Sequence, residues 1–227
     1  MTILKRCRFS LLLLPFAVLI VPARAGEIVD RIVANVNGHI LLESDWEDEI
    51  AFEALLNARP AGSFTAAERK AALDRLIDQE LLREQVHPSE TAPKELVQGR
   101  VAEVRKMYPA AATDAGWVAT VQRYGLTPGA IEKRLGRDIQ LMRLVEARLR
   151  PAIQIDNPAV ESYYRERLLP ELQRAGGKEV SLPEVFTRIK DLLAEQKLNQ
   201  LIAGWLASLR SGSHIQIPGA SDGEQNR

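Results

Sequence analysis

Three histidines are the side chains of this 227-residue chain best suited to metal binding or acid–base chemistry. They are His39 beside a turn, His87 before a proline, and His214 in a short apolar segment near the carboxyl end. His39 and His214 would become neighbours if their segments paired in one sheet. Two histidines without a spaced carboxylate or cysteine make a weak metal site, so the pattern favours surface or edge histidines and predicts no metal.

Other catalytic patterns are missing from the sequence. It contains no glycine-rich phosphate loop, no nucleophile elbow, no HExxH helix and no Ser/His/Asp set. Most carboxylates lie near Lys or Arg at helical spacing, which is typical of solvated helix faces. The sequence therefore predicts a protein that is not an enzyme and that carries no cofactor.

The first 25 residues have the pattern of a secretory signal peptide. Three basic residues precede the apolar run FSLLLLPFAVLIV, and Ala-Arg-Ala at 23–25 is a small-x-small cleavage site. The alternative is an uncleaved N-terminal anchor, which a run this short, interrupted by Pro15, disfavours. We expect a periplasmic protein without stable membrane insertion after cleavage.

The composition of the mature chain excludes two further classes. Cleavage would remove Cys7, the single cysteine, so the fold would depend on its core and not on disulfides. It would also lower Lys plus Arg from 30 to 26, against 30 acidic residues, and leave no basic block. Nucleic-acid binding therefore has no electrostatic footprint. Aromatic residues make up only 5%, and the prevalence of Ala, Leu, Glu and Arg favours helices.

The mature chain is predicted to begin with a β-hairpin. The segments EIVDRIVANV and HILLE flank Asn37-Gly38, a dipeptide that favours a type I′ turn because both central residues need positive φ. Ser44 is predicted to cap the first helix, with Glu47 three residues later completing a capping box. An isolated hairpin is marginally stable in water, so it needs a further partner.

Helical segments follow, and a short strand ends the fold. Thr65 with Glu68, Thr127 with Pro128, and Asp156 or Asn157 are predicted helix starts, and a last long helix is predicted from Pro183. The closing segment HIQI has no local partner, so we expect it to pair with the hairpin in a three-stranded sheet. The predicted fold is mainly α: a multi-helix body with a small N-terminal β-hairpin closed by a C-terminal strand.

Several segments together resemble SurA-type periplasmic chaperones. IVDRIVANVNGHILLESDWE is similar to the start of the mature proteins of that family, and Glu43, Ser44 and Asp45 match its acidic helix start. Residues 72–85 resemble the next helical block, and residues 186–217 resemble the C-terminal helix and strand. The resemblance implies a fold like the SurA N-terminal domain, shared with trigger-factor-like peptide-binding domains.

The chain also departs from that family. IQIDNPAVESYYRERL resembles the segment from which the family's chain enters a parvulin-type prolyl isomerase domain. In this chain, however, only RERLLPELQRAGGKEVSLPE lies between Tyr164 and the last helix. Twenty residues cannot form a further domain. The resemblance therefore implies a chaperone body that binds unfolded outer-membrane-type polypeptides without ATP and without isomerase activity. An isomerase assay is expected to give a null result.

We predict a single body over residues 26–217. It comprises the hairpin and helices over 26–174, a linker over 175–182 in place of the isomerase domain, and the final helix and strand over 183–217; residues 218–227 are expected to be a flexible tail. Two alternatives concern the partner: an envelope scaffold that binds one folded protein, and a homodimer that exchanges the terminal helix and strand.

Apolar side chains that exceed what one helix stripe can bury are candidates for client binding. They lie in the irregular mid-section and beside the main stripe of the long helix: Met107, Tyr108, Trp117, Val121, Tyr124, Leu141 and Leu144. The alternative for each is an ordinary place in the core.

Overall fold

The structure is a computed structural model that describes residues 30–87, 91–178 and 180–219. The predicted signal peptide lies outside the described residues, as does the predicted tail beyond residue 219. The strands are β1 Ile32–Val36, β2 His39–Leu42 and β3 Ile215–Gln216. The helices are α1 Glu43–Leu56, α2 Ala66–Arg83, α3 Lys94–Lys106, α4 Asp114–Gln122, α5 Pro128–Leu149, α6 Asn157–Tyr163, α7 Leu169–Arg174 and α8 Leu182–Ser211, with a π turn at Tyr164–Leu168 between α6 and α7.

The three strands form one antiparallel sheet in the order β2-β1-β3. Asn37 and Gly38 take the positive φ values of 52° and 92° that the turn requires. The two chain ends are joined further at the turn, where the Asn37 N–H donates to the His214 carbonyl at 2.9 Å. The predicted closure of the hairpin by the C-terminal strand, and with it the mainly α fold class, is confirmed.

The start of α1 differs from the sequence prediction. Leu42 is the N-cap, and its N–H donates to the Asp45 carboxylate at 2.9 Å. The Ser44 hydroxyl donates to Asp30, and Glu47 pairs with Arg69. The predicted Ser44–Glu47 capping box is therefore wrong, because β2 runs into α1 without a loop and the helix begins before Ser44.

Other predicted helix starts are confirmed. Thr65 and Glu68 form the reciprocal capping box of α2, and the Thr127 hydroxyl accepts from Ala130 N–H at the start of α5. Asp156 is the N-cap of α6, and its carboxylate accepts from Ala159 N–H at 2.9 Å. These caps satisfy N–H groups that have no partner within their helix.

Two clusters of buried side chains form the core. The first joins α1, α3, α4 and α5, and its members are Phe52, Leu55, Val104, Ala111, Trp117, Val121, Leu126, Ile131 and Leu135. The second packs the sheet on α2 through Val33, Ala34, Val36, Leu41, Leu73, Ile77 and Leu81, and Leu209 and Ile215 pack against it. The hairpin therefore has its apolar partner in α2 and in the C-terminal end of α8.

The segment from 153 to 206 extends from these clusters and is called the arm below. It contains α6, the π turn, α7 and most of α8, and α8 contacts α6, α5 and α2 in turn. Tyr164 donates to the Val180 carbonyl at 2.8 Å, and Arg150 of the turn after α5 pairs with Glu195 at 3.2 Å. Within the described residues, no helix combines the length and apolarity that a membrane span needs.

Candidate functional site

Four of the seven predicted client-binding residues belong to the first core cluster or its edge. Trp117 and Val121 are buried in it. Tyr108 and Tyr124 are half-buried against it, with hydroxyl oxygens 3.1 Å apart and rings in an edge-to-face arrangement. Burial raises the pKa of the Tyr108 hydroxyl, which donates to the Leu55 carbonyl. Trp117 and Val121 therefore take an ordinary place in the core, which was the alternative interpretation of these residues.

The other three predicted residues lie apart from one another. Met107 is the C-cap of α3, and 43% of its surface is exposed. Leu141 lines a pocket between α5 and the hairpin, and Leu144 is half-buried on the same helix. The seven residues therefore do not form one surface. The structure instead offers two candidate surfaces, the arm and the pocket.

Few of the apolar side chains in the arm are fully buried. Between residues 153 and 206 the described chain has twenty large apolar or aromatic side chains, of which only Val160, Ile189 and Leu198 are buried. Sixteen are half-buried, and Leu192 is 42% exposed. Both core clusters lie elsewhere. The arm therefore presents an extended strip of partly accessible apolar side chains.

Helix lengths explain this exposure. α8 has 30 residues and is about 45 Å long, whereas the 7 residues of α6 span only about 10 Å. Its neighbours therefore cover separate parts of α8 and leave the intervening turns partly open. Trp205 illustrates the partial cover, since the Arg148 guanidinium lies 4.8 Å from the centre of its ring while the indole stays half-buried. The periodicity of α8 predicts its apolar face, but not that most of it lacks a full partner.

The pocket lies between β2, α2 and α5 and has a volume of about 360 Å³. Its apolar lining comes from Leu41, Leu76, Val86 and Leu141. The polar lining consists of His39, Asp45, Gln79, Glu80, Arg83, Arg134, Arg137, Asp138 and Gln140. It is thus a concave site with an apolar part and polar groups of both signs, as in many ligand pockets.

A buried ion pair holds the wall of this pocket together. Glu49 of α1 is 3% exposed and accepts from Arg134 of α5 and from Gln79 of α2, the latter at 3.1 Å. The Arg134 guanidinium also lies 5.3 Å from the centre of the Phe52 ring. Three helices therefore meet at one carboxylate, which fixes the positions of Arg134 and Gln79 in the pocket.

Two further carboxylates of the pocket are in different states. Glu80 is buried, pairs with Arg83 and lies 3.7 Å from Nε2 of His39. Asp138 is half-buried and forms no hydrogen bond with other described residues. Burial raises the pKa of Asp138 to about 6, and the charge of Glu49 adds to this rise while Arg134 opposes it. A perturbed carboxylate in a pocket is a candidate functional group.

Neither surface carries the residues for metal binding. Among the described residues, no group of three or more His, Cys, Asp and Glu side chains could hold a metal ion. The expected approach of His39 to His214 is wrong, because β1 lies between the strand of His39 and the strand that follows His214, and Nε2 of His39 instead lies 3.7 Å from Glu80. The arrangement supports binding of a ligand by packing and hydrogen bonds.

No protein-family model matches the chain, and no curated protein matches it. The resemblance to SurA-type chaperones thus stays a prediction that rests on the segments quoted above.

Proposed function

We propose that the protein is a periplasmic, ATP-independent chaperone that binds unfolded outer-membrane-type polypeptides through apolar surface and has no prolyl isomerase activity. The observation that supports this most directly is the arm, in which only three of twenty large apolar side chains are buried. The segments that resemble SurA-type chaperones and the predicted signal peptide support the same proposal.

The arm suits a client without a fixed sequence. Unfolded chains that later form β-sheets carry apolar side chains at alternate positions. Each such side chain can bury apolar area at any point along a strip of half-buried side chains. Charged residues beside the strip, such as Arg148, Arg150 and Glu195, keep the free protein soluble. Release would be passive, without coupling to nucleotide hydrolysis.

Aggregation assays test this proposal. An unfolded outer-membrane β-barrel protein is diluted from urea into buffer with the mature chain, without nucleotide, and light scattering is followed. We expect suppression near equimolar amounts. Full aggregation at several-fold excess would contradict the proposal, and a pull-down dominated by one folded protein would favour the scaffold alternative.

Two leucine variants locate the surface. Leu192 on the arm and Leu96 on α3 are 42% and 52% exposed, so they form a matched pair. Leu192→Asp should weaken suppression about fivefold, which corresponds to roughly 1 kcal/mol of lost apolar burial, while Leu96→Asp should behave like the wild type. Equal effects of the two substitutions would show that the arm is not the binding surface.

A further inference from the structure

Among the described residues β2 is an edge strand, and its outer side offers main-chain hydrogen-bonding groups. The turn at Asn37-Gly38 makes Val36 and His39 a hydrogen-bonded pair, so the next pair, Asn35 with Ile40, is non-hydrogen-bonded. The N–H and C=O of Ile40 consequently point away from β1. The N–H of Leu42, which has the same alternation, also points outward, because it donates to Asp45 and not to β1.

The pocket lies beside this edge, on the face that a docked strand would also use. Side chains alternate along β2, so His39 and Leu41 share a face, and both line the pocket. A segment that pairs with Ile40 would direct every second side chain to that face, between α2 and α5. A volume of about 360 Å³ with Leu41, Leu76 and Leu141 in its lining can receive one large apolar side chain.

The charges around the pocket favour an acidic neighbour for that side chain. Glu80 is paired with Arg83, and Arg134 is paired with Glu49. Arg137 is exposed, lines the pocket and forms no hydrogen bond with other described residues, and its charge lowers the pKa of the neighbouring Asp138 carboxyl. Its guanidinium can therefore accept a carboxylate from a ligand as a new partner.

We propose that the free edge of β2 and the adjoining pocket form a docking site for an extended polypeptide segment. The segment adds to the sheet at Ile40, places a large apolar side chain between Leu76 and Leu141, and pairs a neighbouring carboxylate with Arg137. This deepens the proposed chaperone function and rests on it for the identity of the ligand as an unfolded polypeptide. The site is separate from the arm and adds directional hydrogen bonds to its non-directional contacts.

Peptide binding to the whole mature chain tests the proposal. The probe is a fluorescein-labelled nonapeptide of alternating threonine and valine with a central Phe-Asp pair, and binding is followed by fluorescence anisotropy. Two control peptides replace Phe by Ala or Asp by Asn. We expect both controls to bind more weakly than the probe. Equal binding of all three peptides, or no binding of the probe, would overturn the proposal.

Ile40 gives a matched pair of variants. Ile40→Pro removes an N–H that points away from β1, so no hydrogen bond to β1 is lost. Proline is tolerated on edge strands at such positions. Ile40→Thr keeps the N–H and loses a similar amount of apolar surface. We expect Ile40→Pro to weaken binding about three- to tenfold relative to Ile40→Thr, from the loss of one main-chain hydrogen bond. Equal affinities of the two folded variants would overturn strand addition.

Two pocket variants keep the proposal falsifiable if Ile40→Pro fails to fold. Leu141→Trp fills the pocket and should lower affinity for the Phe peptide but not for the Ala peptide. Arg137→Gln should remove the preference for the Asp peptide over the Asn peptide, and Arg137→Lys should restore part of it. Unchanged peptide preferences in both variants would overturn the proposed site.

Aggregation suppression separates this proposal from the proposed function. A wild-type chain that binds the probe but does not suppress aggregation would retain the docking site and contradict the chaperone function. A chain that suppresses aggregation but whose pocket variants keep the peptide preferences of the wild type would keep the chaperone function and overturn the docking site.

Discussion

Replacing Arg134 by methionine tests whether the buried ion pair with Glu49 holds α1, α2 and α5 together. In the variant Glu49 stays buried and keeps only Gln79 as a hydrogen-bond donor among the described residues. Breaking a buried pair by removing one partner costs about 3–5 kcal/mol, because a charge remains in a poorly solvated site. The loss of the Arg134 stacking on Phe52 adds to this cost.

The companion variant removes both charges. Glu49→Leu combined with Arg134→Met fills similar volume with apolar atoms, and such replacements are often neutral or stabilising. We therefore expect the double variant to regain most of the stability that Arg134→Met loses. Together with the single variant Glu49→Leu, the two variants form a double-mutant cycle that measures the coupling of the pair.

Urea unfolding at pH 7 provides the assay, followed by tryptophan fluorescence, to which the buried Trp117 contributes. An Arg134→Met variant within about 1 kcal/mol of the wild type, or a double variant no more stable than Arg134→Met, would refute the reasoning. The pKa of Asp138, measured by carboxyl-carbon NMR, adds a second test. It should rise in Arg134→Met, because Arg134 lowers it, and fall in Glu49→Gln, because Glu49 raises it.

Two further predictions concern single positions. The folded-state pKa of Asp138 is about 6 against a reference of 3.8, so its contribution to stability is full below pH 3.8 and is lost as the pH rises through 6, by up to about 3 kcal/mol. Asp138→Asn should therefore be more stable than the wild type at pH 8 and gain much less at pH 4, and parallel pH–stability curves would contradict this. Gly116→Ala should destabilise the fold by about 1–3 kcal/mol, since its Cβ would lie 1.7 Å from the Ala110 carbonyl oxygen, whereas Gly129→Ala in the open first turn of α5 should stabilise it slightly. Equal melting temperatures of the two alanine variants would show that the approach to Ala110 is not tight.

Structural features that depend on residues close together in the sequence were predictable from the sequence. Asn37-Gly38 makes the hairpin turn because both residues accept positive φ. Thr65 with Glu68 and Thr127 with Pro128 start helices because a side chain within reach satisfies the free N–H groups or proline needs none. The pairing of β3 with β1 was also predictable, because two short β segments at opposite ends of a helical chain each lacked a partner.

Burial was less predictable, because an apolar stripe does not specify what covers it. Trp117 and Val121 lie on a short helix whose apolar side chains pack with those of α1, α3 and α5, so they are core residues. The apolar face of α8 is at least as regular, yet most of it is only half-buried, because α5, α6 and α2 each cover one part of a longer helix. Ser44 failed as a cap for a related reason, since the path of β2 into α1 moved the helix start to Leu42.

The sequence by itself determined the turns, most caps and the closure of the sheet, all of which follow from local hydrogen bonding or from the need of a lone strand for a partner. Only the tertiary structure decided the pocket and the arm. Glu49 and Arg134 are 85 residues apart and meet because α1 and α5 pack on the same cluster. Such distances, and the exposure of a helix face, depend on the lengths and crossing of packed elements, which no local pattern encodes.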